Sequence, residues 1–322
     1  MRAYGLSRLL YAPYHVQMVV TRRCNLRCGY CNEYDDHSPP VPAEELRRRI
    51  DKIKELGAWA IELTGGEPME HPGLIDLVRY AKREKQFYKV QMISNLYLWG
   101  EDTVHALNDA GLDDLQVSVD GVMPNDVTVK VLKPMRKKLE TLARHARFRV
   151  TMSGVVGSAP PGEAVQVLEL AKELGFKPRV LLVHDGTGQL KLDAARRAEV
   201  EDIQRVIGKG FQDAGDYRAR LMEEGSAPFK CRSGSRYLYV DEHGYVRWCS
   251  QTRDYWGVPL AEYSAAHLKA QFSTRKDCNA GCTVGCARTA SAPDAWRAQP
   301  LPDPGPPPSQ LVQIGARTAK PA

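Results

Sequence analysis

Three cysteines near the start of the chain, Cys24, Cys28 and Cys31, form the motif C-x3-C-x2-C. Three thiolates on one short loop can ligate three irons of a [4Fe–4S] cluster and leave the fourth iron open to bind another molecule. A structural iron–sulfur cluster has four cysteine ligands, and a zinc site takes its fourth protein ligand from elsewhere in the chain. The motif therefore favours a cluster that carries out chemistry.

A second motif, Thr64-Gly65-Gly66-Glu67-Pro68, follows a predicted strand. Its two glycines allow the main chain to approach a ligand closely, and Glu67 supplies a carboxylate that can bind an ammonium group. Both motifs come directly after strands of a predicted parallel sheet. Active sites form at the carboxyl ends of such strands.

The segments that must position these residues alternate between strand and helix patterns. The strand candidates are residues 16–20, 60–63, 90–93, 115–119, 148–152 and 180–183. The intervening helix candidates are residues 43–56, 72–85, 101–110, 134–146 and 163–174. Six consecutive β/α units predict an α/β fold in which a parallel sheet curls into an open barrel. Two more helix patterns follow, at residues 193–207 and about 211–224.

Five further cysteines lie in the C-terminal third of the chain. Cys231 and Cys249 form C-x12-G-x4-C, with the glycine at a hairpin turn between predicted strands 237–240 and 245–248. Cys278, Cys282 and Cys286 follow as C-x3-C-x3-C. Four thiolates in a small hairpin-rich segment suit either an auxiliary [4Fe–4S] cluster or zinc. One thiol is then left over, and the sequence does not choose which.

The domain organisation follows from these changes in pattern along the 322 residues. We expect a lead-in at 1–14, a barrel at 15–190, a helical connector at 191–225, a cysteine-rich domain at 226–290 and a disordered, proline-rich tail at 291–322. Because only about 14 residues precede the first strand, no N-terminal peptide-recognition domain is expected.

Charge and hydropathy exclude several classes of partner. The net charge of +6 comes from scattered groups, including residues 47–49 and 136–138 in helix patterns, so no nucleic-acid partner is predicted. No apolar run approaches the ~18 residues of a membrane helix, and the first residues lack a secretion signal. We therefore expect a cytoplasmic protein without a membrane partner, whose cysteines bind metal rather than form disulfides.

Together the motifs resemble the radical S-adenosylmethionine (radical SAM) superfamily over about residues 15–185. The matching residues are the three cysteines of the first motif with Tyr30 before the last, Gly65-Gly66-Glu67-Pro68, Ser94-Asn95, and Ser118-Val119-Asp120-Gly121. The resemblance implies a partial (β/α)6 TIM-like barrel in which S-adenosylmethionine (SAM) chelates the open iron. It also implies that Gly65, Gly66 and Glu67 receive the methionine amino group, that Tyr30 lies near the adenine, and that Asn95 and Ser118 face the ribose and carboxylate.

The C-terminal cysteines resemble the SPASM/twitch extensions of radical SAM enzymes, which hold auxiliary [4Fe–4S] clusters. The full SPASM pattern supplies seven cysteines for two clusters, so five cysteines indicate the shorter, twitch-like form with one. The resemblance makes Cys231 and Cys249 the firmest ligands of that cluster, with two more from Cys278, Cys282 and Cys286.

The resemblance implies an enzyme that reductively cleaves SAM and abstracts hydrogen from a small molecule or a short peptide. An electron donor such as flavodoxin or ferredoxin would supply the electron. Either the auxiliary cluster takes up substrate electrons in an oxidation, or bond formation or epimerisation occurs and a thiol returns a hydrogen atom. The alternative is an iron–sulfur electron-transfer protein that does not turn over SAM. The Gly-Gly-Glu-Pro segment argues against it, because an electron carrier needs no SAM site.

Overall fold

The structure is a computed structural model that describes residues 10–31, 33–183, 194–207, 217–253 and 255–297. Within these ranges one sheet contains nine strands in the order β6-β5-β4-β3-β2-β1-β7-β8-β9. The strands are β1 His15–Thr21, β2 Ala60–Gly65, β3 Lys89–Ser94, β4 Asp114–Ser118, β5 Arg149–Val156, β6 Lys177–Leu182, β7 Tyr237–Val240, β8 Tyr245–Arg247 and β9 Val258–Pro259. Neighbouring strands from β1 to β6 are parallel.

Helices follow the strands of the barrel in the expected alternation. The α-helices of the described ranges are α1 Ala43–Glu55, α2 Leu74–Arg79, α3 Glu101–Ala110, α4 Leu132–His145, α5 Glu163–Glu173, α6 Ala194–Ile207, α7 Tyr217–Glu224, α8 Ala265–Ser273 and α9 Gly285–Ser291. A π-helical turn, Tyr80–Glu84, continues α2. None of these helices is long and apolar enough to cross a membrane.

The core lies between the outer face of the sheet and the helices. Val16 and Met18 of β1 are fully buried there, as are Leu46, Ile50 and Ile53 of α1. Side chains of a strand alternate between faces, so one face of β1 joins this core while the other faces the interior of the open barrel. Six parallel strands covered by helices confirm the predicted partial (β/α)6 barrel.

The hairpin β7–β8 does not stand apart from the barrel. β7 pairs in parallel with β1, with His15 opposite Tyr237, while β8 and β9 add in antiparallel orientation. The exposed edge of β1 offers unpaired main-chain groups, and β7 satisfies them. The sheet is therefore continuous from the barrel into the cysteine-rich segment.

Several predicted boundaries fall on residues outside the described ranges. These include most of the lead-in, the connector residues 191–193 and 208–216, and residues 298–322 of the predicted tail. The described part of that tail is packed: the Asp294 carboxylate is buried and accepts a hydrogen bond of 2.7 Å from Arg236 Nε.

Candidate functional site

The three-cysteine loop follows β1 at the carboxyl edge of the parallel strands. Cys28 is buried, and Cys24 and Cys31 are half-buried. The Gly29 main-chain N–H donates to the Val127 carbonyl oxygen at 2.8 Å, which ties the loop to the segment after β4. All three thiols line one small cavity, together with Gly65, Gly66, Ser94, Asn95, Ser118 and Lys130.

The electrostatics of these thiols fit a metal cluster. Burial raises the pKa of Cys24 to about 12 and also raises the pKa of Cys31. Protein groups alone therefore keep these two sulfurs protonated, whereas a bound metal converts a coordinating thiol into a thiolate. None of the other five cysteines lines this cavity. The donor set thus fits a four-iron cluster with three protein ligands.

Gly65 and Gly66 lie against the main chain that leads into the cysteine loop. A Cβ atom on Gly65 would lie 2.0 Å from the Thr21 carbonyl oxygen, and one on Gly66 would lie 2.2 Å from the Arg23 carbonyl oxygen. The main-chain N–H groups of Gly66 and Glu67 donate to those same two oxygens at 3.0 and 2.8 Å. The glycines therefore let the end of β2 pack directly on the loop and set its position.

The Glu67 side chain is fully buried and is engaged by the protein itself. Its carboxylate accepts hydrogen bonds from Ser94 Oγ at 2.8 Å, the Asn95 main-chain N–H at 2.7 Å and the Met69 main-chain N–H at 3.2 Å. Burial outweighs these donors and raises the pKa of Glu67 to about 7. The carboxylate that the resemblance assigns to the SAM amino group thus holds the end of β3 in place.

Asn95 and Ser118 lie on the cavity wall. Asn95 Nδ2 donates to Asn25 Oδ1 at 2.8 Å and lies 3.7 Å from Cys24 Sγ, while Asn95 Oδ1 accepts from the Tyr97 main-chain N–H at 2.9 Å. Ser118 is the last residue of β4. Both residues therefore share one cavity with the three cysteines.

Tyr30 belongs to a buried polar cluster beside the cysteine loop. Its hydroxyl donates to Asp120 Oδ2 at 2.7 Å, and Lys130 Nζ contacts that hydroxyl and lies 3.3 Å from Asp120 Oδ2. Thr128 Oγ1 donates to the same carboxylate oxygen at 2.6 Å. Sequence reasoning missed Lys130, because nothing in the spacing of residues 121–131 marks it.

The interior of the barrel holds a second, larger cavity of ≈ 560 Å³, here named the luminal cleft. It reaches the first residue of each barrel strand, namely His15, Ala60, Lys89, Asp114, Arg149 and Lys177. Deeper in the strands it is lined by Glu62, Gln91, Gln116, Thr151 and Arg179. Polar residues at alternate positions of parallel strands were a signal of this cleft, since buried parallel strands are ordinarily apolar throughout.

Cys286 of α9 lies in the luminal cleft with His15 and Glu62. One ligand atom from each of these three residues lies within 4.8 Å of the other two, and Gln17 Nε2 is 3.9 Å from Cys286 Sγ. Burial opposes ionisation of Cys286, yet hydrogen bonding to His15 and the charge of Arg179 lower its pKa. Burial likewise disfavours a charged His15, but Glu62 and Cys286 outweigh it and raise the pKa of His15 to about 10.

The other four C-terminal cysteines form a separate set, here named the four-thiol group: Cys231, Cys249, Cys278 and Cys282. Burial and the proximity of the other three raise the pKa of Cys278 above its ordinary value. Burial, with Cys231 and Cys249 nearby, raises the pKa of Cys282 to about 12. Cys231 precedes the antiparallel hairpin and Cys249 follows it, and Cys231 is near enough to act electrostatically on Cys249. Of the five C-terminal cysteines, Cys286 is the one that lies with His15 and Glu62 on the lining of the luminal cleft.

Comparison with known proteins agrees with this geometry. The model of the Radical SAM superfamily matches residues 18–195. An AdoMet-dependent heme synthase of Methanosarcina barkeri (strain Fusaro / DSM 804) is 31% identical over 207 residues, 61% of this chain and 57% of that relative. A PqqA peptide cyclase of Gluconobacter oxydans (strain 621H) is 27% identical over 74% of this chain and 70% of that relative. The chain therefore spans little more than half the length of the heme synthase.

Solved structures share the fold at low sequence identity. Streptococcus suis SuiB bound to the precursor peptide SuiA is 14% identical, with a TM-score of 0.63 over 89% of this chain and 73% of that one. Native anSMEcpe with bound AdoMet and the Cp18Cys peptide is 15% identical, with a TM-score of 0.57 over 86% and 88%. With more than half of its residues matched by the family model, the chain belongs to the radical SAM superfamily of enzymes.

Proposed function

We propose that this enzyme reductively cleaves SAM and uses the resulting 5′-deoxyadenosyl radical to abstract hydrogen from an organic substrate. The observation that supports this activity is the cavity at the carboxyl edge of the barrel, where three thiols face the glycine motif. Cys24, Cys28 and Cys31 would hold a [4Fe–4S] cluster there. That cluster, when bound, supplies the electron that cleaves SAM, which leaves binding, orientation and exclusion of water to the protein.

The residues around the cysteines divide this work between them. We assign Gly65, Gly66 and Glu67 to the amino group of SAM, with the Glu67 carboxylate fixing the Asn95 main chain. Asn95 and Ser118 face the ribose and carboxylate. Tyr30 lies near the adenine, and its hydroxyl is held by Asp120 and Lys130.

The test is SAM cleavage by anaerobically reconstituted protein reduced with dithionite, with 5′-deoxyadenosine measured by chromatography. Wild-type protein should form 5′-deoxyadenosine even without substrate, and Cys28→Ala should form none. Cys286→Ala is the matched control and should retain cleavage, because Cys286 lies outside the three-cysteine cavity. Wild-type protein with an intact first cluster and no 5′-deoxyadenosine would favour the iron–sulfur electron-transfer alternative.

The four-thiol group supports an auxiliary [4Fe–4S] cluster as a second part of the proposal. Four cysteines are the usual complement of a fully ligated cluster. Burial raises the pKa of Cys249 to about 11, so Cys249, like Cys278 and Cys282, needs a cation to become a thiolate. Bound there, the cluster would take up or pass on electrons during turnover.

The position of Cys286 in the luminal cleft supports a role for its thiol in returning a hydrogen atom to the substrate radical. The S–H bond breaks as a C–H bond forms at the substrate radical. The sulfur radical left behind takes one electron from a one-electron iron–sulfur or flavin donor and one proton from the neighbouring His15. Replacing Cys286 by alanine should leave SAM cleavage intact but yield oxidised or unquenched substrate. Normal product from that variant would favour substrate oxidation instead.

The substrate is proposed to be a short peptide or a small molecule bound in the luminal cleft. The names of two relatives, a PqqA peptide cyclase and SuiB with its precursor peptide SuiA, support the peptide class. We place the enzyme in a reducing cytoplasm, with flavodoxin or ferredoxin as electron donor, because cysteines that ligate iron–sulfur clusters must stay reduced.

A further inference from the structure

Three polar groups converge beside Gly285, the first residue of α9, and two of them, Arg179 and Arg218, line the luminal cleft. A Cβ atom at Gly285 would lie 2.9 Å from Arg179 Nη2, 3.2 Å from the Tyr217 hydroxyl oxygen and 3.3 Å from Arg218 Nη2. Arg179 belongs to β6, and Tyr217 and Arg218 open α7. Two elements, β6 and α7, therefore bring three hydrogen-bonding groups to one place on α9, and any side chain larger than glycine would crowd them.

The Tyr217 hydroxyl is the group that most clearly lacks a partner. Tyr217 is 6% exposed, and its oxygen makes no hydrogen bond within the described part of the chain. The ring lies near two guanidinium groups, with Arg218 Cζ 4.6 Å and Arg288 Cζ 4.3 Å from its centroid. Arg288 is itself held by the carbonyl oxygens of Cys282 and Asn279, at 2.8 and 3.3 Å. A buried hydroxyl without an acceptor destabilises the fold, so this donor is placed to hydrogen-bond to a ligand.

The charges of the cleft favour an anion at this place. The two carboxylates on its described lining are already paired, Glu62 with His15 at 3.6 Å and Asp114 with Lys89 at 2.5 Å. Asp114 also pairs with Arg149. The cations on the same lining are His15, Lys89, Arg149, Lys177, Arg179 and Arg218. The described lining therefore carries more cations than carboxylates, so a ligand that brings negative charge to Gly285 meets a positive wall.

We propose that Arg179, Arg218 and the Tyr217 hydroxyl form an oxyanion site that binds a carboxylate or phosphate group of the substrate. Guanidinium groups bind such planar or tetrahedral oxyanions through paired N–H donors, and the phenol adds a third donor. The site deepens the proposed function by naming a substrate class. A substrate held there by its anionic group extends past Cys286, the next residue of α9.

The test is isothermal titration calorimetry on anaerobically reconstituted, full-length protein with three probes. N-acetylglycine offers a carboxylate, methyl phosphate offers a phosphate, and N-acetylglycinamide is the neutral match of the first. Arg218→Gln and Tyr217→Phe should each weaken binding of the preferred anion by at least about tenfold, since each removes a charge-assisted hydrogen bond. Arg149→Gln is the control, because Arg149 lines the same cleft but pairs with Asp114.

The probe that binds more tightly identifies the anionic group. Weaker binding of that probe to Arg218→Gln and Tyr217→Phe, with unchanged binding to Arg149→Gln, supports the site. Equal binding of the amide and the acid would overturn it, as would no binding of either anion by wild type. An equal loss in Arg149→Gln would also overturn it, by showing diffuse charge attraction. If Arg218→Gln does not fold, the Tyr217→Phe variant still tests the site. SAM cleavage measured on the same samples separates this proposal from the proposed activity, since either can fail alone.

Discussion

Replacing Cys282 by alanine should lower the iron content of the reconstituted enzyme from about eight to about four per chain, whereas Cys286→Ala should keep about eight. The reason is their different surroundings, although only three residues lie between them. Cys282 lies in the electrostatic field of Cys231 and Cys249. Cys286 instead lies with His15 and Glu62 in the luminal cleft.

The expected loss of about four irons follows from counting the sulfur ligands of each cluster. The four-thiol group can ligate one complete four-iron cluster without Cys286, and the three-cysteine loop holds the other. Loss of Cys282 removes a ligand that Cys286 cannot replace without leaving its contacts in the cleft. The first cluster stays intact in both variants, so its remaining four irons also report that the barrel has folded.

The assay is iron and acid-labile sulfide per chain after anaerobic reconstitution, with zinc measured on the same samples. The triple variant of Cys24, Cys28 and Cys31 to alanine is the control and should retain about four irons, all in the auxiliary cluster. Loss of four irons in Cys286→Ala, with eight kept in Cys282→Ala, would refute the assignment of ligands. Stoichiometric zinc with only four irons in the wild type would refute the auxiliary iron–sulfur cluster itself.

Three further outcomes are expected near the first cluster. Gly66→Ala should prevent assembly of the first cluster, because the added Cβ meets a main-chain oxygen of the cysteine loop at 2.2 Å. Iron analysis would show the loss. Gly100→Ala is the control and should assemble the cluster normally, because a Cβ there has nothing within 4 Å. Glu67→Ala should lower the free energy of unfolding by roughly 1–3 kcal/mol, because the Ser94 hydroxyl and the Asn95 N–H lose their buried acceptor. It should also weaken SAM binding measured by calorimetry, because the Asn95 main chain is no longer held in place; unchanged affinity would contradict this. The folded pKa of Glu67 is raised from 4.5 to about 7, so its stabilisation is complete below pH 4.5 and is lost as the pH rises through 7. The melting temperature of the wild type relative to Glu67→Gln should therefore fall as the pH rises towards 8, and a difference that does not vary with pH would count against a raised pKa.

The barrel could be predicted closely from the sequence because its strands are short apolar runs separated by helical periodicity. The predicted strand at residues 60–63 is observed as Ala60–Gly65, and the predicted helix at 101–110 is observed as Glu101–Ala110. Local patterns of this kind depend on the nearest few residues. The pairing of β7 with β1 depends instead on which edge of the sheet is open after folding, and no local pattern records that.

The cysteines show the same limit. Spacing alone left Cys278, Cys282 and Cys286 equivalent, because C-x3-C-x3-C places similar thiols at similar intervals. Their separation arises from α9, which begins between Cys282 and Cys286 and carries the last thiol towards β1 and β2. A helix start that falls inside a cysteine motif changes the direction of the next side chain, and the motif does not encode that direction.

The polar residues inside the barrel indicate that the barrel and the C-terminal segment form the luminal cleft together. Burying Gln17 and Glu62 is tolerated because they hydrogen-bond to each other, and Arg179 donates to Gln116 at 2.5 Å. An apolar interior of the same volume would be at least as stable, since paired buried charges seldom add net stability. These residues are therefore better explained by a ligand than by folding. The wall facing them comes from α7 and α9, which carry Arg218 and Cys286, so the C-terminal segment completes the luminal cleft as well as holding the four-thiol group.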